Sequence, residues 1–118
     1  MAHQQLRITV GSQSVIAQLV ASETTRDFVK LLPLTLHLED LGDREKYGAL
    51  PAKLSEAGTM RTTYQVGDIA YWLGGGVAAF YYQDGHQVKA GLIVLARLPE
   101  GTTLFNIPGA QKVRFEAV

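Results

Sequence analysis

Leu6, Ile8 and Val10 alternate with Arg7 and Thr9, and the same two-residue period returns along much of the chain. Leu34, Leu36 and Leu38 alternate with Thr35, His37 and Glu39. Val113, Phe115 and Ala117 alternate with Lys112, Arg114 and Glu116. Successive side chains of a strand point to opposite faces, so each segment reads as a strand with one buried side. The turns fit this reading. Gly11-Ser12 supplies a two-residue hairpin turn before a second strand through Val15, Ala17 and Leu19. Val66-Gly67-Asp68 feeds a strand over Ile69 to Leu73, and Gly74-Gly75-Gly76 breaks it before Val77 to Tyr82. Asp84-Gly85 turns the chain again. Leu92 to Leu98 reads as a buried strand and Pro99-Glu100-Gly101 as the turn after it.

One segment departs from the period of two. Phe28, Leu31 and Leu32 lie at helical spacing, Thr24 is placed to cap the helix, and Asp27 suits its positive end. Pro33 ends it, because the residue before a proline is pushed out of the α region. The expectation is a helix over about Thr24 to Leu32 that covers one opening of a barrel or sandwich. Asp40 to Lys46 reads as a solvated charged loop. Tyr47 to Met60 reads as an irregular excursion containing one short strand, and Arg61 to Tyr64 as a further strand.

The 118 residues suit a single domain spanning 1–118, and 47% apolar content is enough for a core. Cysteine is absent and no apolar run resembles a signal peptide or a membrane span, which points to a cytoplasmic protein. The formal net charge is zero, against the basic excess that nucleic-acid binders usually carry. The expected partner is therefore a peptide or small molecule, with no nucleic acid and no membrane. No motif requires a cofactor, and the composition sets no oligomeric state.

Two passages carry a family likeness. One is Gly67-Asp68-Ile69-Ala70-Tyr71-Trp72 followed by Ala78-Ala79-Phe80-Tyr81-Tyr82. The other is the opening pair of strands, the helix ending at Pro33, the Leu-rich strand and Tyr47-Gly48. Together they resemble small bacterial and archaeal cyclophilin-like proteins of uncharacterised function. The resemblance implies a mostly β fold, a closed eight-stranded barrel with one main helix. It also raises prolyl cis-trans isomerisation as a possible activity. The Phe-His-Arg triplet and the Gln-Gly-Gly-Asp-Phe segment of cyclophilins are missing. Ala79 and Tyr81 stand where the resemblance implies glutamine and a pocket phenylalanine, and Trp72 is placed to fill the pocket. Arg61 is the one arginine in the corresponding region.

The chemistry-bearing residues are mainly aromatic. Tyr71 and Trp72 must face opposite ways on a strand, as must Tyr81 and Tyr82, so at least two large rings belong outside the core. Tyr47, Arg61, Tyr64, Trp72 and Tyr81 are the expected ligand-binding set, with rings that pack and an arginine that meets a carboxylate or carbonyl. The alternative is that the rings pack beneath the 47–60 excursion. Gly74 to Gly76 has no phosphate-loop context and reads as a strand connection. His3, His37 and His86 have no partner histidine at metal spacing, and His37 falls on a polar strand face. Asp68 reads as a turn residue. The expected function is a non-catalytic domain that binds a peptide or small ligand in a barrel-face cleft. The alternatives are a prolyl isomerase with a degenerate site, and an oligomer built through an exposed aromatic strand.

Overall fold

A computed structural model describes residues 5–41, 45–82, 87–99, 102–107 and 109–118. Its strands are β1 (Gln5–Val10), β2 (Gln13–Leu19), β3 (Leu34–Leu41), β4 (Glu45–Ala49), β5 (Met60–Arg61), β6 (Asp68–Trp72), β7 (Gly76–Phe80), β8 (Leu92–Arg97) and β9 (Gln111–Ala117). Every pairing is antiparallel. The order β2-β1-β9-β3-β4-β7-β6-β8 closes on itself through β2–β8, giving an eight-stranded barrel with β5 as an extra strand on β8. Among the described residues, no helix is long and apolar enough to cross a membrane.

The alternating segments bury the side their pattern predicts. Leu6, Ile8, Leu38, Val113 and Phe115 meet Ile69, Tyr71, Val77 and Ala79 inside the barrel. The Gly11-Ser12 hairpin forms as expected, with Val10 opposite Gln13. Gly74 and Gly75 take positive φ values between β6 and β7, where residues with a β-carbon would be strained.

Three expectations need correction. The helix, α1, runs Glu23–Val29, and Ser22 caps it, its Oγ accepting from the Thr25 amide at 3.0 Å. Thr24 is instead buried inside the first turn, where its hydroxyl donates to the Ser55 carbonyl at 2.6 Å and accepts from the Gly58 amide at 3.2 Å. Phe28 does cover the barrel core, edge-on to Phe115 with ring centroids 5.8 Å apart.

The second correction concerns Asp40 to Lys46. β3 continues to Leu41 and β4 begins at Glu45, so Asp40 lies directly opposite Lys46 in register. Lys46 is fully buried, not solvated. Asp43 and Arg44 lie outside the described residues, as do His3, His86 and Asp84-Gly85. The third is Arg61 to Tyr64: the strand there, β5, is Met60–Arg61, and Thr62 to Tyr64 lie beyond it.

Candidate functional site

The strands β4, β7, β6 and β8 are buried on both faces. One face belongs to the barrel interior. The other carries a second cluster of Tyr64, Ala70, Ala78, Phe80, Val88 and Leu92, with Tyr47 and Trp72 packed at its margin. Small residues on β6 and β7, Ala70 and Ala78, leave room for rings above them. Tyr64 stacks on Phe80 with centroids 3.9 Å apart. Tyr47 meets Trp72 edge-on at 5.3 Å.

Register extends this outer face toward β5. Arg61 pairs with Leu92, Leu92 with Trp72, and Trp72 with Gly76. Directly paired residues of antiparallel strands share a face, so these four form one cross-strand row. Gly76 lacks a side chain where the Tyr47 ring lies over it. Three of the five expected residues, Tyr47, Arg61 and Trp72, thus share a surface row and its flank. Tyr64 belongs to the same cluster but is buried beneath the surface at 3% exposure. Tyr64 is thus a packed ring, but in a cluster without residues 48–60; the ring that meets that excursion is Tyr71, whose hydroxyl accepts from the Leu54 amide at 3.3 Å, while Tyr47 and Trp72 stay half-buried.

Tyr81 goes elsewhere. It packs against the main core and its hydroxyl donates to Asp40 Oδ1 at 2.7 Å. The same oxygen lies 3.0 Å from Lys46 Nζ, which also donates to the Ile107 carbonyl and, at 2.6 Å, to the Gly109 carbonyl. An ammonium has three protons, and these three partners use them. Burial pushes the Asp40 carboxyl up, but the Tyr81 and Lys46 hydrogen bonds and the Lys46 charge outweigh it and hold the group below its ordinary value. This is a structural clamp between β3, β4 and the segment before β9.

A cleft of about 240 Å³ opens beside the cross-strand row. Its origin is a fork. One edge of β8 is shared by two short partners: β5 takes Leu92 and Ile93, and β2 takes Ala96 and Arg97. Val94 lies between them. Val20, Ala21 and Ser22 line one side of the cleft, and Thr59 and Arg61 the other.

A β-bulge sets what faces the cleft. Across β6–β8, Ile69 pairs with Ala96 but Ala70 pairs with Val94, so Leu95 is the extra residue. Leu95 and Ala96 both join the interior core. Alternation then resumes one residue late, and Arg97 emerges on the same face as Val94 and Leu92. Arg97 lines the cleft with Arg61. Its Nε lies 3.4 Å from Asp68 Oδ1, and Asp68 Oδ2 accepts from the Gln65 amide at 2.9 Å, the turn role expected of it. Sequence reading missed Arg97. The run Leu92 to Ala96 is wholly apolar, so nothing in it marks a skipped residue.

A family model of the Cyclophilin-like family matches residues 8–116. The chain belongs to that family. No curated protein matches it. Among solved structures, this Cyclophilin-like chain is similar to the solution structure of a hypothetical protein from Archaeoglobus fulgidus. The TM-score is 0.78 at 21% identity, covering 98% of this chain and 95% of the other. That likeness concerns the fold, and the mostly β barrel with one main helix agrees with it.

Proposed function

We propose that this Cyclophilin-like barrel is a non-catalytic binding domain that takes a peptide or small ligand on the outer face of β6 and β8. The observation that carries this reading is the row Arg61–Leu92–Trp72–Gly76, which ends at Tyr47 and adjoins the cleft at the β8 fork. It combines two half-buried rings, a cation and a concave edge on paired strands, the mixture of apolar surface and few polar groups that ligand sites use. Prolyl isomerisation has only the fold behind it, and a fold does not specify an activity.

Trp72 is the sole tryptophan, so intrinsic fluorescence has one indole source. Titration with a metabolite and peptide library is expected to give a saturable change in Trp72 emission. An emission that no compound alters would overturn the reading. A protease-coupled proline isomerisation assay is expected to stay at its uncatalysed rate.

A further inference from the structure

Resting on the binding reading above, we infer that the cleft at the β8 fork recognises a carboxylate carried on a short apolar body. Two arginines, Arg61 and Arg97, line one small cleft. Arg61 is exposed, and no ion pair or hydrogen bond of its side chain occurs among the described residues. Arg97 is held on its Nε side by Asp68. A guanidinium presents a planar fork of donors that suits a carboxylate.

Charge selects the class of anion. Two arginines and Asp68 leave one net positive charge at the site, which matches a monoanion better than a doubly charged phosphate. The walls select the rest. Val20, Ile93 and Val94 are apolar; Val20 follows the end of β2 and Val94 lies on β8, so they face each other across the fork. A ligand with its carboxylate between the guanidiniums would lay an aliphatic chain against them. Both a free organic acid and the terminal carboxylate of a peptide have this chemistry.

The bulge explains why both cations reach one place. With regular alternation Arg97 would share a face with Leu95, which belongs to the interior core. The extra residue turns it to the face of Leu92, and Leu92 is the register partner of Arg61.

The test uses nitrogen-15 NMR of the full chain with four probes: isovalerate, isovaleramide, acetyl-Gly-Val with a free carboxylate, and acetyl-Gly-Val amide. Inorganic phosphate serves as a fifth, dianionic probe. Isovalerate or the free-carboxylate peptide is expected to shift the Val20, Ala21 and Val94 amides saturably, and the matching amide is not. Which of the two binds more tightly identifies the source of the carboxylate. Arg61→Gln is expected to weaken that binding about tenfold, the loss of one charge-assisted contact. Arg61 is exposed, so that variant keeps its fold, and Arg97→Lys provides a second variant that retains charge toward Asp68.

Equal binding of acid and amide, or tighter binding of phosphate, overturns the carboxylate inference and leaves the binding domain standing. No shift at the cleft from either acid overturns the inference as well. The binding reading falls separately, when the compound library leaves Trp72 emission unchanged.

Discussion

The ring of Tyr47 lies over Gly76 so closely that a β-carbon at residue 76 would collide with the phenol Cζ and hydroxyl. The contact joins β4 to β7 on the outer face and fixes the edge-on geometry of Tyr47 against Trp72.

Gly76→Ala is therefore expected to destabilise the protein by about 1–3 kcal/mol, the usual cost of overpacking. Gly76 has an ordinary φ, so the cost is steric. In the Tyr47→Ala background the same substitution is expected to be nearly neutral. A double-mutant cycle from urea denaturation measures the difference, and additivity of the two substitutions would contradict the contact.

Lys46 is expected to be intolerant of replacement. Lys46→Met leaves the Ile107 and Gly109 carbonyls and the Asp40 carboxylate without their cation. Breaking a buried pair costs about 3–5 kcal/mol, and Asp40 keeps some access to water, so about 3 kcal/mol is expected. Denaturant midpoints read this loss.

The same clamp predicts an acid dependence. Asp40 is held below its ordinary value of 3.8 in the folded chain. The unfolded chain therefore takes up the proton first as pH falls. The stabilisation is fully present above that ordinary value and is lost as pH drops through the folded one. The stability gap between the natural protein and Asp40→Asn is expected to hold steady near neutral pH and to narrow as pH falls from about 5 through 3.8 and below. A gap that does not change with pH would show that the Asp40 charge is not what holds Lys46.

Thr24 makes a separable prediction. Its hydroxyl serves the Ser55 carbonyl and the Gly58 amide, and Ser22 caps the helix. Thr24→Val is expected to cost about 1–3 kcal/mol, the penalty for buried backbone groups left unsatisfied. Hydrogen exchange is expected to quicken at Gly58. Ser22→Ala is expected to cost about 1 kcal/mol and to leave Gly58 exchange unchanged.

The barrel was legible because β1, β3 and β9 keep a period of two. Leu6, Ile8, Val113 and Phe115 fall on the buried side wherever the partner strand lies. The site was legible only in part. Tyr47, Arg61 and Trp72 share a face because of pairings between strands distant in sequence. No local pattern distinguishes Tyr81, which turns toward Asp40, from Trp72, which turns outward. Lys46 misled for a definite reason. Its charge reads as solvation, but the hairpin places Asp40 opposite it and the segment before β9 encloses both. The missed relationship was the β3–β4 register, which sets residues 39, 40 and 41 opposite 47, 46 and 45.

Strand β9 lies between β1 and β3, pairing Ile8 with Phe115 on one side and Leu36 with Val113 on the other. During synthesis, then, the strands released before β9 can pair only as one open sheet, β1-β2-β8-β6-β7-β4-β3, joined through β2–β8. Its outer strands, β1 and β3, present open edges until residues 111–117 emerge. The nascent chain must hold those edges apart, and this is when a chaperone that shields unpaired strands would serve it best.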